Sequence, residues 1–186
     1  MVSLGALWLP ILLSAVIVFV ASSIMHTLLT YHRSDYWQLP EEEKVLSFLR
    51  GIGLRRGTYM FPHCTHKEMK SPATMEKFKQ GPVGIMTILP SGPPAMPKFL
   101  VQWFVFCVVI SVFVAYITGR TLAPTTDYLH VFRVAGTAGF MAYGLGHLSN
   151  GIWKGQTWSA TIKEVIDGLI YGLLTAGTFG WLWPRM

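Results

Sequence analysis

Seven residues able to share protons or bind ions interrupt otherwise apolar sequence. His26 closes the first apolar run, Tyr143, His147 and Asn150 close the third, and Glu164, Asp167 and Tyr171 lie in the fourth. At roughly 100° per residue, Glu164, Asp167, Tyr171, Thr175 and Thr178 fall within an arc of about 80° on one helix. Lipid cannot solvate a carboxylate, so this stripe must face protein or water. A histidine beside a carboxylate can hold a proton near neutral pH or coordinate a metal. Two readings stand together: a structural hydrogen-bond cluster, or a proton, ion or ligand site led by Asp167 and His147.

A second constellation is His63-Cys64-Thr65-His66, flanked by Met60 and Met69. Three soft-metal donors crowd together, but no CxxC or second ligand pair accompanies them, so an ordinary polar turn after Pro62 is the default and no metal or other cofactor is expected. The sequence has no GxSxG, HExxH, Walker loop or Rossmann fingerprint, and so points to no enzyme class. Nucleic-acid-binding motifs are also missing. The net charge of +6 is better explained by basic residues beside membrane spans.

The elements that must position these residues follow from hydropathy. Of 186 residues, 52% are hydrophobic and only 13% charged, against about 25% charged in soluble domains. Apolar runs at about 4–29, 99–118, 128–149 and 158–183 each suit a membrane span. The first starts without Lys or Arg and is too long for a signal-peptide core, so it reads as an uncleaved span. Trp153, Trp158, Trp181 and Trp183 mark the interfaces. Along the fourth run, Gly168, Gly172, Ala176 and Gly180 recur every fourth residue, a ladder that admits a close neighbour. Gly136 and Gly139 on the third run offer the matching surface, with a second copy of the fourth run as the other candidate.

The loop 30–97 holds most of the charge. Pro40 followed by Glu41, Glu42 and Glu43 opens an amphipathic helix. Ser71, Pro72 and Gly81 delimit a second short helix. Val83 to Leu89, set among glycines and prolines, is expected to be extended. Basic residues crowd this loop, while Arg120 and Arg185 lie on the opposite side and Arg133 just inside the third span. The positive-inside rule therefore places the loop in the cytoplasm and both termini outside. Cys64 and Cys107 fall at different depths, so no disulfide is expected.

The stretches GPVGIMTILPSGPPAMPKFL, VFRVAGTAGFMAYG and IDGLIYGLLTAGTFGWLWP resemble small bacterial four-span membrane proteins of unknown function, over most of residues 80–184. The resemblance implies this topology and a bacterial inner membrane; it carries no activity. The expected protein is thus an all-α, single-domain integral membrane four-helix bundle with one large cytoplasmic loop containing short amphipathic helices. Its partners are the lipid bilayer and a homo-oligomer or larger membrane complex. Its expected function is that of a non-catalytic subunit or binding protein, and the alternative is a small channel or transporter for protons, a small cation or a solute.

Overall fold

A computed structural model describes residues 1–184. Arg185, counted above among the outer charges, and Met186 lie outside the described residues. The fold is mostly helical and falls into two compact units, one formed by Tyr36–Pro94 and the other by Met1–Asp35 together with the chain from Ala95 onward.

The Tyr36–Pro94 unit holds α2 (Glu42–Gly51), β1 (Gly57–Phe61), α3 (Pro72–Gln80) and β2 (Gly84–Ile88). α3 starts and stops where its capping chemistry puts it. The Ser71 hydroxyl accepts from Thr74 N at 3.2 Å, and Gly81 ends the helix with φ +62°, where a side chain would be strained. α2 begins at Glu42, because Glu41 takes a left-handed conformation at φ 50° and cannot be its first residue. β2 occupies the segment expected to be extended, and it pairs antiparallel with β1, Tyr59 lying opposite Met86. This small sheet adds strands to the expected all-α class. β1 is only five residues long, too short for alternation to stand out between Arg56 and Pro62.

The other unit contains the long helices. A single 3-10 turn leads into α1 (Trp8–Thr27), and a second, Tyr31–Asp35, follows it; then come α4 (Met96–Thr121), α5 (Tyr128–Tyr143), α6 (Leu148–Trp153) and α7 (Trp158–Trp181). α1 packs on α4, α4 on α5, α5 on α7 and α7 on α1, so the four long helices close a ring. Buried positions recur at helical spacing: Ile11, Ser14, Ala15, Val18, Ser22 and Met25 on α1, and Cys107, Ile110, Ser111, Val114, Ala115 and Thr118 on α4. Polar pairs join these two faces, with the Ser14 hydroxyl donating to Ser111 Oγ at 3.0 Å and Trp103 Nε1 to Ser22 Oγ at 2.7 Å.

Two helical segments, Leu4–Thr27 and Met96–Thr121, are long and apolar enough to cross a membrane. Both also turn apolar side chains outward, including Leu12, Val16, Val20 and Ile24 on the first and Val105, Val109 and Phe113 on the second.

α5 and α7 make the tightest pair. Gly136 lies against Ala176, Gly139 against Gly172, and Gly168 against Gly144, so the small-residue ladder of α7 faces α5 of the same chain. α5 ends at Tyr143, well before the Ser149 limit of the apolar run, and a 3-10 turn, Leu145–His147, precedes α6. The change comes at Gly144-Leu145-Gly146, where the α7 backbone at Gly168 presses closest and glycine is a weak helix former. At the other end, Asp127 caps α5 by accepting from Leu129 N and His130 N. The His130 imidazole pairs with the same carboxylate and holds its pKa below the usual carboxylate range.

Candidate functional site

α7 opens with the Thr157 hydroxyl accepting from Ala160 N at 3.4 Å. One turn later, Lys163 and Asp167 stand four residues apart on the same face. Both point at the Tyr31–Asp35 turn, which folds back over the end of α7. Lys163 Nζ uses all three of its donors there: 2.6 Å to the Tyr31 carbonyl, 2.8 Å to Ser34 Oγ and 2.6 Å to Asp35 Oδ1. The turn is therefore tied to α7 by one cation.

His32 sits between two carboxylates. Its Nδ1 is 2.6 Å from Asp35 Oδ2 and its Nε2 is 2.8 Å from Asp167 Oδ2. The Tyr31 hydroxyl donates to the remaining oxygen of Asp167. Asp167 is 4% exposed, and each of its oxygens has a partner. Burial by itself would lower the His32 pKa, but the hydrogen bonds to Asp35 and Asp167 outweigh it and hold His32 above the ordinary histidine range. For Asp35, burial works upward, and Lys163 and His32 outweigh it, so its carboxyl lies below the usual range. Burial and then Asp167 push the Tyr31 hydroxyl far up, which keeps it a donor. The network thus sets two carboxyl groups, those of Asp35 and Asp167, against two basic side chains, His32 and Lys163.

Beside this network lies a cavity of about 610 Å³ between α1, α4, α5 and α7. One wall is aromatic. Trp103 stacks near Phe106 and Tyr171, with centroids 5.4 and 6.2 Å away, and Tyr143 meets Phe106 at 6.2 Å and Tyr171 at 5.6 Å. The other side is polar, lined by His26, His147, Glu164 and Asp167. His147 Nδ1 lies 3.1 Å from Glu164 Oε2, close enough for an ion pair but without the alignment of a directed hydrogen bond. The Tyr171 hydroxyl is buried and has no partner among the described residues. A buried hydroxyl without a partner is costly, by about 1–3 kcal/mol.

Six of the seven polar residues read from the sequence, His26, Tyr143, His147, Glu164, Asp167 and Tyr171, line this one cavity. Asn150 does not: it lies on α6, where its carbonyl accepts from Lys154 N and Gln156 N. The helix breaks after Tyr143, so Asn150 does not continue the face of α5 that carries Tyr143. Arg133 is exposed and borders an apolar groove beside Phe113 and Ile117. Glu164 lies beside His147, while Lys163 is taken up by Asp35. The donors His63, Cys64 and His66 do not gather into a three-donor group among the described residues, whereas single donor atoms of His26, His32 and Asp167 all lie within 4.8 Å of one another. Tyr31, His32, Asp35 and Lys163 are the members that sequence reasoning missed. The available signal was His32 three residues before Asp35 directly after an apolar run.

Comparison with known proteins gave no matching family model, no matching curated protein and no matching solved structure.

Proposed function

We infer that this chain is a small multi-span membrane protein whose four long helices cross the bilayer as a four-helix bundle, and that it binds a small amphipathic molecule without chemistry of its own. The cavity carries the reading. Its volume falls in the roughly 300–1,000 Å³ range of small-molecule sites, and it combines an aromatic wall with a few convergent polar groups. The aromatic rings suit a flat, lipid-soluble ring system. The unpartnered Tyr171 hydroxyl and the His147–Glu164 pair suit a hydrogen-bonding head group.

Support for two further spans comes from α7 and α5. Ile162, Ile166, Leu169 and Leu173 project outward from α7, and Leu129 and Met141 from α5, as lipid-facing surfaces require. The α7 ladder is already covered by α5, so assembly into a homo-oligomer or larger complex would use these outer faces. A path for protons or small cations has less support, because the Tyr31–Lys163 network pairs its own charges.

Native mass spectrometry of the full chain released from nanodiscs tests the cavity. The wild type should carry one small molecule per chain. Ala142→Phe, which fills the cavity from α5, should abolish that adduct while leaving the helical circular dichroism unchanged. Identical adducts in the two proteins, or none in either, would sink the reading.

The basic residues that crowd the loop 30–97 support an orientation with that loop in the cytoplasm and both termini outside, in a bacterial inner membrane. A reporter active only outside the cytoplasm should be active when fused after Met186 and silent when inserted near Gly57. The reverse pair of results would overturn this orientation.

A further inference from the structure

We propose that His26, His32 and Asp167 form a binding site for one divalent transition-metal ion at the polar end of the cavity. The inference does not depend on whether the cavity also takes an organic ligand. Three kinds of observation carry it.

The first is proximity. One nitrogen from each imidazole and one Asp167 oxygen lie within 4.8 Å of one another, and the two imidazole rings are in contact with centroids 4.6 Å apart. Around a tetrahedral ion, donors about 2.0–2.2 Å from the metal stand roughly 3.3 Å apart. His32 Nε2 and Asp167 Oδ2 are now 2.8 Å apart, so they need part by only about half an ångström to admit the ion.

The second is orientation. Asp35 holds His32 by Nδ1, which directs Nε2 at the site, and Lys163 holds Asp35 in turn. The Tyr31 hydroxyl occupies the far oxygen of Asp167. Metal-bound histidines and carboxylates are steadied by outer partners of this sort. The third is access. His26 is exposed, and both it and Asp167 line the cavity, so a fourth position is open to water or to a ligand.

The donor set also restricts the ion. Two imidazoles and one carboxylate suit zinc, cobalt or nickel, whereas magnesium and calcium take oxygen donors. Binding the ion requires Nε2 of His32 to give up any proton it shares with Asp167; with Asp35 paired to Lys163, the ion then faces the one carboxylate of Asp167.

The full chain should be purified in mild detergent without a polyhistidine tag, stripped with EDTA, and titrated with Co²⁺ while the visible d–d bands are followed. One Co²⁺ per chain should bind with the intense bands of a tetrahedral site, and Zn²⁺ should displace it. His26→Ala removes an exposed side chain that has no hydrogen bond among the described residues, so it should fold as the wild type does and bind at least tenfold more weakly. Asp167→Asn should do the same. Asp35→Asn, a positioning change, should weaken binding by roughly 10–100-fold while preserving the spectrum's shape. The His63→Ala, His66→Ala double variant should bind like the wild type. Absence of binding up to millimolar Co²⁺ would overturn the proposal. So would binding that survives His26→Ala and Asp167→Asn together, or that is lost with His63 and His66.

Discussion

Gly168→Ala is expected to destabilise the protein more than any other glycine-to-alanine change on α7. A Cβ at Gly168 would lie 2.2 Å from Gly144 Cα, 2.5 Å from Gly144 N and 2.7 Å from Tyr143 C. All three are backbone atoms, so relief requires α5 and α7 to separate. At Gly172 the nearest atom, Phe140 N, is 2.8 Å away, again backbone but less crowded. At Gly180 the closest contacts are ring atoms of Tyr128 at 2.8 Å, which can swing aside. The predicted order of destabilisation is therefore Gly168, Gly172, Gly180. Overpacking costs about 1–3 kcal/mol, occasionally more, and Gly168→Ala should fall at the upper end.

Gly177→Ala supplies the opposite sign in the same helix. Its Cβ would meet only the Tyr128 hydroxyl, at 3.8 Å. Without a clash, the gain in helix propensity of about 0.5–1 kcal/mol should dominate. Thermal unfolding of the four single variants in one detergent measures the series. If Gly168→Ala unfolds no lower than Gly177→Ala, the close α5–α7 approach is wrong.

That series separates what the sequence carries from what it hides. The four-residue spacing of Gly168, Gly172, Ala176 and Gly180 is visible by inspection, and so is its match to Gly136 and Gly139. By spacing alone Gly172 stands at the centre of the row. The crossing of the two helices decides otherwise, bringing them closest at Gly168 and Gly144. A repeat in sequence is uniform; a helix crossing is not.

The site shows the same division. Residues on regular helices could be assigned to one end from chain direction alone, which is how His26, His147, Glu164 and Asp167 come together. Tyr31, His32 and Asp35 lie on a 3-10 turn with no hydrophobic period to report its direction. Their fold back onto α7 depends on Lys163, which from sequence reads only as one more basic residue near a span end. Asn150 erred in the opposite direction, because extrapolating a helix through Gly144 and Gly146 kept it on a stripe that the structure interrupts.

Removing the Asp167 carboxylate should produce the largest loss of stability in the network, provided that its hydrogen bonding is removed as well. Asp167→Leu leaves the Tyr31 hydroxyl and His32 Nε2 without their acceptor and His32 without one of its two counter-charges. Breaking a buried pair from one side costs about 3–5 kcal/mol. Asp167→Asn should cost much less, about 1 kcal/mol, since its carbonyl can still accept from Tyr31 and its amide can donate to Nε2 of a neutral His32. Loss of the carboxylate also changes the pH dependence relative to the wild type, measured as melting temperature in chelator-containing buffer from pH 4 to 9. In the wild type the folded-state pKa of His32 is raised. Its stabilising contribution is thus complete below the unfolded value of about 6.5 and is lost as pH rises through the folded value. Asp35 behaves inversely, because its folded pKa is lowered. Its contribution is complete above the unfolded value of about 3.9 and is lost as pH falls through the folded value. The wild type should therefore be most stable in the weakly acidic range and decline on the alkaline side. Asp167→Asn removes one of the two carboxylates that raise the His32 pKa, so its alkaline decline should begin at lower pH and be shallower. If the alkaline limbs of wild type and Asp167→Asn superimpose, the Asp167 carboxylate is not what holds the proton on His32.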